Sequence, residues 1–118
     1  MAKETPTVFL VDPELPADHL ILDGIDTSRE PRFSVSEVAK FFFKRNSHWV
    51  RWAERKGIFV FEGEDVGTGR TESGSRVYAL ADIEKMAHAL AAKDLITQAQ
   101  LSFILHLVYF EAKLWGYV

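Results

Sequence analysis

Residues 46 to 57 read NSHWVRWAERKG. Trp49 and Trp52 are interleaved with Arg51, Arg55 and Lys56, and Gly57 closes the run. At helical spacing Trp49, Val50 and Ala53 share one side, while Ser47, Arg51 and Arg55, with His48 beside them, share another. One face of such a helix packs a core and the other presents cations. The chemistry this offers is electrostatic. Guanidinium and ammonium groups neutralise a row of phosphates and release their counterions. On size and spacing the tryptophans read as core anchors before base-stacking platforms. His48 reads as an exposed residue of the capping turn before a reader of bases.

The charge is unevenly spread. The chain of 118 residues has a net charge of −3. From Lys40 to Ile58, however, Lys40, Lys44, Arg45, Arg51, Arg55 and Lys56 stand against Glu54 alone, a net of +5. From Met1 to Pro31 the balance is −5, with Lys3 and Arg29 against seven acids. A basic segment therefore lies beside an acidic arm. The plainer alternative for the basic run is a solvated helix face.

Other chemistries find little support. There is no cysteine, which excludes disulfides, thiolate metal sites and thiol nucleophiles. The four histidines show no metal-ligand spacing, the closest pair, His88 and His106, being eighteen residues apart. His88 and His106 read as helix-surface or satisfied buried residues. Gly63, Gly67, Gly69 and Gly74 match neither phosphate-loop pattern, and no carboxylate pair or Ser-His-Asp set has a pocket-like context. The expectation is a non-enzyme without cofactor or metal. No apolar run reaches membrane-spanning length and the N-terminus lacks a secretory pattern, so a cytoplasmic protein is expected, associated with the nucleoid if it binds DNA.

The elements that would position the basic run can be read on either side of it. Residues 1–32 form an acidic arm broken by Pro6, Pro13, Pro16 and Pro31. Within it TVFLV (7–11) and HLILDGI (19–25) read as short strands or extended pieces. FSVSEVAKFFFK (33–44) predicts a helix with a Ser34/Glu37 capping box and a core stripe of Val38, Phe41 and Phe42. Asn46 or Ser47 caps the next helix, which ends at Gly57. Two short helices joined by a tight turn make a helix-turn-helix. IFVF (58–61) and SRVY (75–78) then read as paired strands of a β-wing with a glycine-rich tip. Residues 81–94 predict a third helix with Ile83, Met86, Ala87 and Leu90 inward. The last helix carries a Thr97/Gln100 capping box and two apolar faces. One is Leu101, Ile104, Leu105, Val108 and Ala112. The other is Phe103, Leu107, Phe110 and Leu114, and both need covering.

FSVSEVAKF, WVRWAERKGI, SRVYALADIEKM and KDLITQAQLSFIL, in this order, resemble the winged helix-turn-helix DNA-binding domain of MerR-type regulators and phage excisionases. The resemblance covers about residues 33 to 108. It departs from the family pattern in four places. The turn between Ala39 and Arg51 is one residue longer and lacks a glycine. Ala53 replaces an aromatic, Ala79 replaces a Ser/Thr cap, and Lys93–Asp94 replace a glycine. The chain stops at Val118, so no effector domain is expected.

The fold class this implies is mainly α with a small two-stranded β-wing. The domain plan is an arm (1–32), a winged helix-turn-helix (33–96), and a C-terminal packing and dimerisation helix (97–118). Implied DNA contacts are Lys44, Arg45, Ser47, His48, Arg51, Arg55, Lys56, Arg70 and Arg76. Arg51 is the foremost of these, and Arg76 either supports the wing or meets phosphate. As an intramolecular alternative, Arg76 pairs with Glu62 or Glu84. The expected homodimer face is Phe103, Leu107, Phe110, Leu114 and Trp115. The expected partner is double-stranded DNA, and the role that of a small transcriptional regulator or recombination accessory factor. The alternative is a phage-type protein-interaction module that keeps the fold without DNA, in line with the acids of EGEDVG and Glu72. A third reading has the acidic arm folding over the basic helix and inhibiting it.

Overall fold

The computed structural model describes residues 20–29 and 31–118. In chain order these form β1 (Arg32–Ser34), α1 (Val35–Glu37), a π-helical stretch π1 (Val38–Phe43) continuous with α1, α2 (Ser47–Arg55), β2 (Val60–Phe61), β3 (Glu64–Asp65), β4 (Val77–Ala79), α3 (Leu80–Ala92) and α4 (Gln98–Leu114). Counting α1 and π1 as one helix, this is a small mixed α/β domain with four helices and two two-stranded sheets among the described residues. The arm residues 1–19, with the TVFLV segment and His19, lie outside them. None of the described helices is long and apolar enough to cross a membrane.

The first helix starts where its capping box requires. The Ser34 amide donates to Glu37 Oε1 at 2.8 Å, and Ser34 Oγ accepts from the Glu37 amide at 3.2 Å. The pattern predicts one regular helix over 33–44, but the helix is not α-helical throughout. After Glu37 the ladder widens to the i→i+5 bonds of a π-helix. The wider turn moves Phe43 inward in place of Phe41, so Val38, Ala39, Phe42 and Phe43 are buried and Phe41 is exposed. Lys40 lies over the outward Phe41 ring at 5.9 Å. Lys44 ends the helix in the left-handed conformation at φ 57°, and Arg45 donates back to the Ala39 carbonyl at 2.9 Å.

Asn46 caps α2, its side-chain oxygen accepting from Trp49 N–H at 2.9 Å. At the other end Gly57 takes φ 71°, with Ile58 N–H bonded to Ala53 and Gly57 N–H to Glu54. That pair of bonds is a Schellman motif, and glycine meets its φ at no steric cost.

The strand pairing differs from expectation. IFVF pairs at once with β3, Val60 opposite Asp65 and Phe61 opposite Glu64, around Glu62 and Gly63. Both turn residues have positive φ, 53° and 83°, the demand of a two-residue hairpin turn. SRVY is left to pair elsewhere. β4 lies antiparallel to β1, with Phe33 opposite Tyr78. A second loop closes through an Arg70–Arg76 bridge and a Val77 N–H bond to the Gly69 carbonyl at 3.1 Å. The region is thus two successive reversals rather than one long hairpin.

α3 and α4 supply the centre of the core. Leu80, Ile83, Met86, Ala87 and Leu90 are fully buried against Leu101, Ile104, Leu105, Val108 and Ala112. The Thr97/Gln100 capping box forms as its spacing predicts, at 2.7 and 3.1 Å. Asp94 holds the turn between the two helices at φ 59°, a position Asp tolerates better than most residues. HLILDGI is not a strand where it is described. Residues 21–24 form a turn, and Leu22 sits in the core. Two side chains hold this segment. Buried Glu84 accepts from the amides of Ile21 and Leu22, the latter at 3.0 Å. Thr27 Oγ1 accepts from the Ala81 amide at 3.0 Å.

Candidate nucleic-acid interface

α2 is seated by Val50 and Ala53, both inaccessible to solvent, and by Trp49 and Trp52, half-buried with ring centroids 6.1 Å apart. The tryptophans therefore act as anchors of the helix. Outward from them stand His48, Arg51, Arg55 and Lys56, all exposed. Half-exposed Ser47 receives a long hydrogen bond of 3.4 Å from Arg51 Nη1. Arg55 and Lys56 have no hydrogen bond or ion pair with a described side chain.

A cleft of about 440 Å³ runs beside this face, lined by Ser34, Ser36, Arg51, Arg55, Ser75 and Arg76 together with Glu54. A second hollow of about 270 Å³ continues toward the second loop, with Arg70, Thr68 and Asp65 on its walls. The two share Glu54, Arg55 and Arg76, so Arg51, Arg55, Arg70 and Arg76 line one groove between α2 and the second loop. Arg70 is exposed, and among the described residues its side chain bonds only its own loop, at Gly69 O, 3.2 Å, and Thr68 O, 3.5 Å.

The other expected contacts are placed differently. Lys44 lies 6.0 Å over the Phe103 ring of α4, and Arg45 stacks on Trp49 at 4.8 Å. Each is a cation–π contact worth about 0.5–1 kcal/mol at exposed sites. They flank α2 from its N-terminal side rather than lining the groove. Arg76 is inside the groove but engaged. It forms an ion pair with Glu54, and its Nη1 donates to the Gly67 carbonyl at 2.6 Å. Its partner is thus neither Glu62 nor Glu84. Glu54, Ser34, Ser36 and Ser75 belong to the groove although sequence reasoning assigned them no part. Only Glu54 carried a signal, as the lone acid on the basic helix.

Tyr78 is buried beneath the second loop, beside Gly67. Burial pushes its phenol above the ordinary value of 10.0, while Arg76, Arg70 and Arg51 pull it back.

The second candidate surface is the outer face of α4. Phe103 and Leu107 are half-buried, whereas Phe110, Leu114 and Trp115 are 55%, 65% and 51% exposed, with Tyr109 and Val118 beside them. Gly116, at φ 80°, turns the chain after the helix, and Tyr117 packs back against the core.

The chain belongs to a family described as a domain of unknown function, DUF7229, which it matches over residues 25–110. That span contains every arginine of the groove and stops short of Leu114 and Trp115. No curated protein and no solved structure matches the chain.

Proposed function

We propose that this member of the DUF7229 family is a winged helix-turn-helix protein of MerR or excisionase type. It binds double-stranded DNA through α2 and the adjoining loop, pairs as a homodimer, and serves as a small transcriptional regulator or recombination accessory factor. The observation that carries the reading is the groove in which Arg51 and Arg55 of α2 face outward beside Arg70 of the wing. α2 is capped at both ends and seated by its tryptophans, so its arginines are presented on a rigid element. Two departures from the family pattern also have physical compensations. The extra residue between Ala39 and Arg51 is taken up by the π turn, and the glycine missing there is replaced by left-handed Lys44.

In this reading Arg51 and Arg55 grip phosphates, Ser47 and His48 at the start of α2 lie toward base edges, and Arg70 extends the contact from the wing. The test is a salt series of binding to random-sequence duplex, beside Arg51→Glu. Affinity should fall steeply with salt, and the variant should bind poorly at every concentration. Equal binding by both proteins would sink the assignment.

A second reading rests on the exposed end of α4. Phe110, Leu114 and Trp115 form an apolar surface suited to a protein partner, and a protein-interaction module would use it without DNA. Charge reversal at Arg51 and Arg55 separates the two, since partner binding through α4 would survive it.

A further inference from the structure

We infer that Arg76 is a positioning residue that sets the wing against α2, and not a phosphate contact. The inference rests on the DNA-binding reading for its consequence and on the geometry alone for its substance.

Three elements meet at Arg76. It leads into β4, its guanidinium is paired with Glu54 on α2, and the same group donates to Gly67, the first glycine of the second loop. A single planar cation thus bridges the helix and the loop. The loop is seated from below as well. Gly67 is buried at φ 74°, and a Cβ there would come within 2.8 Å of the Tyr78 ring and 3.3 Å of Met86 Sδ. Tyr78 lies two residues beyond Arg76, and Val77 between them donates to the Gly69 carbonyl. The loop is therefore pressed onto Tyr78 from one side and tied to α2 from the other. Arg70 leaves the loop beyond this tether, and Arg51 and Arg55 flank Glu54 on the helix. The distance between helix cations and wing cation is set at the Arg76–Glu54 joint.

The joint has an electrostatic side. Glu54 is the only acid from Lys40 to Ile58 and lies between Arg51 and Arg55. Pairing with Arg76 neutralises it, so an approaching phosphate meets Arg51 and Arg55 without an opposing carboxylate. Both terminal nitrogens of this fork are engaged, Nη1 with the Gly67 carbonyl and Nη2 with Glu54, which holds its charge against the helix and the loop rather than toward a phosphate.

The variant to compare is Glu54→Gln with Arg76→Gln, which removes the joint and leaves the net charge unchanged, beside Arg51→Gln. Two readouts are needed. The first is amide exchange in the absence of DNA. The double variant should speed exchange at Thr71 and Val77, whose amides close the wing loop, about tenfold, with α3 and α4 unaffected. The second is the slope of log affinity against log salt, to which each phosphate contact contributes about 0.9. Arg51→Gln should lower the slope by about that amount, while the double variant binds more weakly with its slope unchanged. A slope reduced by about one in the double variant, or wing exchange that does not change, overturns the inference. Absence of duplex binding by the wild-type protein would sink the DNA reading and leave the exchange experiment to decide the role of Arg76.

Discussion

Thr27 caps α3, whose own N-cap residue, Ala79, has no side-chain acceptor. The Thr27 hydroxyl accepts from the Ala81 amide at 3.0 Å, although the two residues are 54 positions apart. Ala79 stands at the N-cap of α3 with no side-chain oxygen, and only its own amide is satisfied locally, by Asp82 at 3.2 Å. A residue from the N-terminal segment thus does the work a Ser or Thr at position 79 would do. Thr27→Ala should destabilise the protein by about 1 kcal/mol, the usual value of an N-cap. Thr27→Ser should recover most of it. Urea unfolding checks both, and equal midpoints for Ala and wild type would show that the cap contributes nothing.

The same logic makes Gly67 intolerant of substitution. Its positive φ strains any residue with a Cβ, and the Cβ would meet the buried Tyr78 ring at 2.8 Å. The ring is held by β4 and the core and has little room to retreat. Left-handed strain costs about 1–2 kcal/mol, and displacement of the ring adds to it. Gly67→Ala should therefore lower stability by about 2–3 kcal/mol. Gly74 has the same sign of φ but open space around it, so Gly74→Ala should lose only the strain. A Gly67 variant no less stable than the Gly74 variant would contradict the seating of the loop on Tyr78.

These contacts mark the limit of what the sequence makes legible. Ser34 with Glu37, Asn46, Gly57, and Thr97 with Gln100 were readable because each bonds within a turn, where spacing alone carries the signal. The buried stripes of α3 and α4 were readable because helical period places them. The π turn was not, since the choice among Phe41, Phe42 and Phe43 is made by the core they enter. Strand pairing failed for a related reason. Glu62–Gly63 closes a hairpin early, and only the position of β1 tells where SRVY goes. At the candidate site, the arginines of α2 were readable from charge and period. The Arg76–Glu54 pair was not, because the path of the second loop brings together residues 22 apart.

Tyr78 predicts a loss of stability in alkali. Its phenol is held above its ordinary value by burial, so the folded state favours the protonated form. Such a group contributes stability that is complete below pH 10, and it is lost as pH rises through the folded value. No described residue hydrogen-bonds the hydroxyl, so Tyr78→Phe should cost little at pH 8, less than about 1 kcal/mol. Above pH 10 the wild type should lose stability faster than the variant. Urea midpoints of both proteins from pH 8 to 11 test this. Parallel curves would mean that Tyr78 ionises as freely folded as unfolded.

The exposed end of α4 supports a last prediction, on pairing. Phe110 and Leu114 are one helical turn apart and form a strip along one side of the last turns, with exposed Trp115 at the C-cap beyond them. Large apolar side chains this exposed are commonly covered by a partner, and a two-fold axis lets one strip cover its own copy. Phe110→Gln with Leu114→Lys should convert a dimer to monomer in sedimentation equilibrium. The lysine suits the C-terminal end of a helix, so the fold should keep its unfolding midpoint to within about 1 kcal/mol. If DNA is read as two half-sites, the monomer should also lose affinity for a palindromic site while keeping its affinity for random duplex at low salt. A variant that stays dimeric would move the interface off this strip. A wild-type protein that is already monomeric would free the strip for a different protein, and capture by a heterologous partner would then be lost in the same double variant.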